Sequence, residues 1–438
     1  MTGRVLILVE NLPVPLDRRV WQEACALRDA GLEVTVICPK MKGYTQAEEI
    51  LDGIRIYRHW IAGEGRGIAG FVAEYASALW GELICSFKAR RNGGNFDIIH
   101  LCNPPDLLFL VALPHKLFFR SRILFDVHDL WPEMFEAKFN KKGLFYRAVR
   151  LAESCTLKLS SAVIATNESV RSIILKRSKK LPEKVTVVRT APNTLDTGAP
   201  EDPSLRQGKP FLVGYIGVMG DADGVGYLLD AADHIAHGLG RTDIHFLLMG
   251  SGPEYPSLCG RRDDLKLKDH VDMPGRVSNE FLFSALQTMD LGVACDPINA
   301  YNDHCTMNKT LEYMAFGKPQ VMFGTVEGKV SAGDAAAYVM ENDAKKLGEA
   351  IVALLDSPEE RTRMGKAGRK RLQEELGWDR STQALCSVYQ SLLSEKYVLP
   401  PDLPPVQGLS IRYRRLHFLP VTQTSPVSGS TAIPFKTS

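Results

Sequence analysis

The chain of 438 residues lacks any apolar run long enough to cross a membrane as a helix. Its longest, LLFLVALPHKLFF, is interrupted by Pro114, His115 and Lys116 and falls short of the ~20 residues a span requires. It also lacks a paired cysteine framework. Its nine cysteines are odd in number and sit mostly inside apolar runs such as VTVIC and IIHLC, which suits reduced core thiols in a cytosol. No CxxC or Cys/His spacing points to a metal, so none is expected. Charge of one sign is missing too. Fifty-three Lys and Arg against 51 Asp and Glu leave a formal +2, which gives no drive toward nucleic acid, so attraction for an anion must be local. The start, MTGRVLILVEN, ends its short apolar run in a carboxylate and reads as a first strand, not a secretion signal. A cytoplasmic globular protein of two or three domains, at roughly 150 residues each, is expected.

What the chain does have is rhythm. Strand-like runs at 4–9, 33–38, 97–102, 122–127, 161–165 and 184–188 alternate with helical patterns. In DRRVWQEACALRDAG, Val20, Ala24, Leu27 and Ala30 share one face before Gly31 ends it. Apolar strands separated by helices predict a buried parallel sheet. A stretch rich in Pro, Gly and Asp breaks the rhythm, which resumes with PFLVGYIG, IHFLLMG, HVDMPG, DLGVACD, PQVMF and AAAYVM as strands. Helices are expected at about 224–237, 279–288, 306–316 and 343–356, and 358–395 reads as one continuous amphipathic helix. The expected architecture is α/β, with two doubly wound domains facing across a cleft. The first spans 1–192, a linker 193–209 and the second 210–378; a helix at 379–396 crosses back toward the first domain, and a disordered tail covers 397–438.

Ligands of such sheets bind beyond the carboxyl ends of the strands, so residues there carry the most information. Two Gly-rich loops, with Gly217 and Gly220 in GYIGVMGDADGVG and Gly250 in MGSGPEY, let backbone approach a phosphate. The spacing is not GxGxxG, and a tight strand-to-helix turn explains it equally well. In CTMNKTLEYMAFGKP, Thr306 is placed to cap a helix that Gly317 and Pro319 stop. Lys309 then lies at the positive end of the helix dipole, where a cation costs a few tenths of a kcal/mol. A diphosphate accepting the amides of Met307 and Asn308 and pairing with Lys309 would offset that cost. Glu312, on the same helix face, could accept hydrogen bonds from ribose hydroxyls; the alternative is a surface Lys/Glu pair worth ~0.3 kcal/mol. ILFDVHDLWPE places Asp126, His128, Asp129 and Glu133 at a strand end, where His128 can bond a sugar hydroxyl or shuttle a proton. ENLPVPLDRRVW offers Glu10, Asn11, Asp17, Arg18 and Arg19, the arginines posing the same dipole question as Lys309.

LVENLPVPLDRRVWQEA, DVHDLWPE, DPINAYND, TMNKTLEYMAFGKPQV and SAGDAAAYV, in that order from residue 4 to about 395, resemble family 4 glycosyltransferases, nearest to bacterial-type enzymes of cell-surface polysaccharide assembly. The resemblance implies a GT-B fold of two Rossmann-like domains, with the first on the acceptor side and the second holding the donor. It implies retaining transfer of a hexose or N-acetylhexosamine from a UDP- or GDP-sugar, with no cofactor and no required metal. The acceptor would be a glycan or a polyprenyl-linked saccharide. His128 matches the family's first-domain histidine, and Glu312 the second glutamate of its spaced pair; His304 stands where the first belongs. Asp221 and Asp223 stand where cations are common, so phosphate neutralisation falls on Lys309, helped by Arg276 or by Arg18 and Arg19. Cys305 replaces the usual serine. Asp129, Glu133 or Asp296 could accept the acceptor's proton, and no carboxylate is placed for a covalent intermediate.

Two other readings share these features: a sugar-nucleotide epimerase or hydrolase, and a catalytically weak nucleotide-binding partner subunit. FVAEYASALWGELICSFKARR and FNKKGLFYRAVRLAESCTLKL pair apolar helical faces with cations. They fit either burial against the sheet or peripheral contact with the inner face of a membrane.

Overall fold

The computed structural model describes residues 3–62, 67–139, 143–192 and 198–394. Apolar strands and the helices between them build two sheets. The first contains β1 (Arg4–Val9), β2 (Glu33–Pro39), β3 (Glu48–Leu51), β4 (Ile54–His59), β5 (Ile98–Cys102), β6 (Arg122–Val127), β7 (Ala162–Ala165) and β8 (Val185–Val187). Their order is β3-β4-β2-β1-β5-β6-β7-β8. Every pair in it is parallel except the β3–β4 hairpin. The sequence pattern does not predict that hairpin, because its edge strand EEIL alternates exposed and half-buried positions and has no continuous apolar run.

The second sheet contains β9 (Phe211–Val218), β10 (Ile244–Ser251), β11 (Val271–Gly275), β12 (Leu291–Ala294), β13 (Gln320–Phe323) and β14 (Ala336–Val339). It is wholly parallel, in the order β11-β10-β9-β12-β13-β14. Strand order reverses at β1/β5 in one sheet and at β9/β12 in the other, which opens a crevice at the carboxyl end of each.

The helix expected over 358–395 is broken. Pro358–Arg371 runs into a wider turn at Leu372–Leu376, Gly377 takes an extended conformation, and a separate helix Trp378–Ser394 begins. That last helix packs on the first domain, burying Leu385, Val388, Tyr389 and Leu392 in one cluster with Val5, Ile7, Val20 and Leu27. Each such side chain contributes ~1.5–3 kcal/mol by leaving water. The same cluster takes in Leu311, Met314, Ala335 and Leu372 from the second domain, so an apolar seam joins the lobes. Of the expected linker, residues 198–209 carry a short 3-10 turn at Pro203–Arg206, while 193–197 lie outside the described residues. The expected tail at 397–438, and residues 140–142 of the second basic-apolar stretch, also lie outside them.

Candidate functional site

On the first lobe, the site is built over Asp126, fully buried near the carboxyl end of β6. Arg19 grips both of its oxygens, Nη2 to Oδ1 at 2.7 Å and Nε to Oδ2 at 2.9 Å. The same guanidinium donates to the Val188 carbonyl at 2.7 Å and to Thr190 Oγ1 at 3.0 Å. His128 Nε2 lies 2.6 Å from Asp126 Oδ2, which leaves Nδ1 as the ring atom for a ligand. Burial opposes charge on Asp126, but Arg19 and then His128 outweigh it and hold the carboxyl well below its ordinary range. For His128, burial opposes protonation and Asp126 outweighs it, so its pKa is raised.

Asn103, just beyond β5, clamps this turn. Its Oδ1 accepts from the backbone N–H of His128 at 2.7 Å and of Asp129 at 3.3 Å; its Nδ2 donates to the Asp129 carbonyl and to Asp106 Oδ1, both at 2.8 Å. Glu10, at the end of β1, is 3% exposed, and burial followed by the nearby Glu74 pushes its carboxyl up to about 8.

On the second lobe, the helix Asn308–Ala315 starts after Met307 and has no side-chain cap. Thr306 does not cap it: its hydroxyl accepts from Asn167 Nδ2 at 3.0 Å, because the segment turns toward the other lobe. The Lys309 ammonium is buried, 2.8 Å from Asp296 Oδ1, 3.8 Å from Asp223 Oδ1 and 5.0 Å from the centre of the Tyr215 ring. Burial opposes its charge, but Asp296 outweighs that and keeps it protonated. The dipole question therefore has an answer inside the protein, since carboxylates at the ends of the neighbouring elements compensate the cation. Gly217 and Gly250 both have φ +149, and a Cβ at 250 would stand 1.8 Å from the Gly217 carbonyl oxygen. Glycine is required there by the contact of two backbones. The Gly220 N–H is taken by Asp223 Oδ2 at 3.0 Å.

The two lobes touch across the crevice. Arg18 Nη1 meets Glu312 Oε1 at 2.5 Å, and the Tyr301 hydroxyl donates to Asp129 Oδ1 at 3.3 Å. Asn167 Nδ2 donates to the His304 carbonyl at 2.8 Å, and Arg189 Nη1 pairs with the buried Glu327 at 2.9 Å. His128, Asp129 and Arg18 thus stand opposite Glu312 and Tyr301, at the carboxyl ends of both sheets.

Residues 16–191 match the model of the "glycosyl transferase 4-like domain", and residues 210–357 that of "glycosyl transferases group 1". This chain belongs to the family 4 glycosyltransferases. It is 30% identical over 157 residues to the GDP-mannose-dependent monoacylated alpha-(1-6)-phosphatidylinositol monomannoside mannosyltransferase of Corynebacterium glutamicum. That alignment takes in 34% of this chain and 40% of the relative, so the chain matches well under half of that protein's length. Its fold is similar to the sucrose-phosphate synthase of Thermosynechococcus elongatus, with TM-score 0.71, 18% identity, and 90% of this chain and 100% of that one covered. It is also similar to HepE of Anabaena in complex with UDP and glucose, with TM-score 0.67, 14% identity, and 89% and 100% covered. The fold is GT-B, with two parallel-sheet domains.

Within this family member, several sequence expectations need correction. Arg19 cannot turn to a phosphate without abandoning buried Asp126, so of the two arginines Arg18 alone faces the crevice, 63% exposed. Asp17 accepts from the Val20 N–H at 3.0 Å as the cap of the helix Arg18–Asp29. Glu133 is held by Arg177, which also binds Glu153 at 2.6 Å, and is therefore a poor proton acceptor. Asn11 and Arg276 are exposed, on the loop after β1 and beyond β11 respectively. Asn308 is exposed at the start of its helix, and Met307 is half-buried before it. Sequence reasoning missed Asn103, Asn167, Tyr301 and Glu327. The NPPD run directly after a strand was the available signal for the first. His100, Cys102 and Asp126 bring ligand-type atoms within 4.8 Å of one another, but Arg19 already fills the cation's place on both Asp126 oxygens.

Proposed function

We propose that the chain is a retaining glycosyltransferase that moves a hexose or N-acetylhexosamine from a UDP- or GDP-sugar to a glycan or lipid-linked saccharide. The observation that supports this reading is the pair of contacts across one crevice of a family 4 fold, Arg18 with Glu312 and Asp129 with Tyr301, next to His128 on one lobe and to the helix of Lys309 on the other. The names of the similar proteins support both donor bases, GDP for the corynebacterial relative and UDP for HepE.

In this reading, the uncapped amides at the start of helix Asn308–Ala315 stabilise charge developing on the leaving diphosphate, and Lys309 keeps one N–H on Asp296 while turning another toward it. Glu312 exchanges Arg18 for the ribose hydroxyls, and His128 Nδ1 bonds the sugar. The acceptor oxygen attacks the anomeric carbon on the face that the diphosphate leaves. Asp129 takes the hydroxyl proton: Glu133 and Asp296 are committed to Arg177 and Lys309, while burial raises the Asp129 pKa. No metal is assigned a role.

The site would act at the cytoplasmic face of a membrane. Among the described residues, no helix is long and apolar enough to cross one. Trp80, Ile84 and Phe87 on the helix Gly67–Gly93, and Leu117 and Phe118 on the helix Phe109–Phe119, are exposed beside Arg91 and Arg120. That composition fits an anionic interface, and co-sedimentation with anionic vesicles at low salt tests it.

Thermal-shift screening against UDP, GDP and their sugars tests the donor, because a ligand of the native state raises the apparent Tm. One base is expected to stabilise the protein by several degrees; no response to any would overturn the reading. A second reading, a nucleotide-binding partner subunit with weak turnover, is favoured by Asp223 and Asp296 around Lys309 and by His304 in the glutamate's place. Tight binding without sugar transfer to any acceptor would select it.

A further inference from the structure

A buried file of polar groups reaches His128 from outside the second lobe and from behind the first sheet. Tyr389, on the helix Trp378–Ser394, is fully buried, with its hydroxyl 2.8 Å from His100 Nδ1. His100, in the middle of β5 and equally buried, has its Nε2 3.6 Å from Asp126 Oδ2 and 3.7 Å from Glu23 Oε2. Asp126 in turn binds His128. Neither Glu23 oxygen nor His100 Nε2 takes a well-aligned hydrogen bond, so His100 acts on the two carboxylates through space, and Arg19 approaches Glu23 Oε1 to 3.2 Å.

The chemistry of this file fixes its direction. Burial holds the Tyr389 phenol protonated, so it can donate to Nδ1. His100 then carries its own proton on Nε2, aimed at the two carboxylates. The opposite tautomer would set a bare nitrogen lone pair against both of them.

We propose that Tyr389 is a positioning residue for His128, acting through His100 and Asp126: its hydroxyl fixes the tautomer whose N–H draws on the Asp126 carboxylate, and so limits that carboxylate's pull on the His128 proton. The proposal rests on the reading of His128 as the group that meets the sugar. The charged and titratable groups facing the file are Asp17, which caps the helix Arg18–Asp29, Arg19 and Glu23 on that helix, His100 and Cys102 on β5, Asp126 and Asp129 around His128, and Cys386 beside Tyr389. Of these, only Cys386 comes from the crossing helix, and the Tyr389 hydroxyl is that helix's hydrogen bond into the file.

Ring-resonance NMR of the ligand-free full chain tests this by titrating His128. In Tyr389→Phe, the His128 midpoint is expected to rise by about 0.5 pH unit, because a His100 N–H no longer polarised through Nδ1 draws less on Asp126. Leu385→Ala, an apolar truncation on the same helix, is expected to lower stability and leave the midpoint in place. Site-specific 3-fluorotyrosine at 389, a stronger donor of nearly the same shape, should lower the midpoint and decides the matter if the phenylalanine variant does not fold. A midpoint unmoved by the fluorinated residue, or moved equally by Leu385→Ala, overturns the proposal. No donor sugar is needed, so this outcome is independent of whether the chain transfers sugar.

Discussion

Arg18 and Arg19 are neighbours in sequence with opposite fates, one bridging to Glu312 in the open crevice and the other sealed against Asp126. Nothing local distinguishes them, because which arginine faces inward depends on where β6 delivers its carboxylate. Lys309, Glu312 and His128 were legible as site candidates because each combines an unusual local placement with a position after a strand. Their partners were not, since those come from elements far away in the chain. Lys309→Ala strands Asp296 in the interior without a counter-charge, and such a break costs ~3–5 kcal/mol. Urea unfolding is expected to report that loss. The double variant Lys309→Met with Asp296→Asn should recover most of the stability without recovering the nucleotide-induced rise in Tm, which separates the structural role from the binding role. Glu10 adds a pH dependence. Its native carboxyl, pushed up to about 8, keeps a proton that the unfolded chain releases near 4.5. The native state binds more protons between those values, so this group's contribution to stability is complete at low pH and declines as pH rises toward 8. Unfolding free energies measured from pH 5 to 8 should flatten in Glu10→Gln.

At the scale of elements, continuous apolar strands and one-sided helices were readable, because burial of both sheet faces leaves a pattern that needs no partner to interpret. The hairpin β3–β4 escaped because its edge strand faces water, and the break at Gly377 escaped because the amphipathic pattern continues on both sides of it. The glycine loops allowed two readings, approach to a phosphate or a tight turn, and the structure adds a reason for glycine that needs no ligand. The contact of the 217 and 250 backbones demands glycine before any phosphate arrives. Gly250→Ala is therefore expected to destabilise the ligand-free protein by ~2–4 kcal/mol through backbone displacement at a positive φ, with the loss visible in thermal denaturation without nucleotide.

For the molecule as a whole, the apolar seam and the crevice contacts together join the lobes. The Arg18–Glu312 pair is exposed on one side, so its worth to stability lies within ~0–1 kcal/mol. Its larger effect is to occupy Glu312. Arg18→Ala is expected to leave the Tm nearly unchanged while speeding nucleotide association in stopped-flow measurements. A slower association would mean that Arg18 attracts the anion and does not merely cover the site. The chain passes between the lobes twice, once on either side of the turn Pro203–Arg206 and again at Gly377, and residues flanking both passages, Val188, Ala191, Leu376 and Trp378, share one cluster. Two covalent crossings anchored in one cluster restrain the lobes more than one crossing would. A protease cut at the turn Pro203–Arg206 would consequently leave the halves tethered through Gly377.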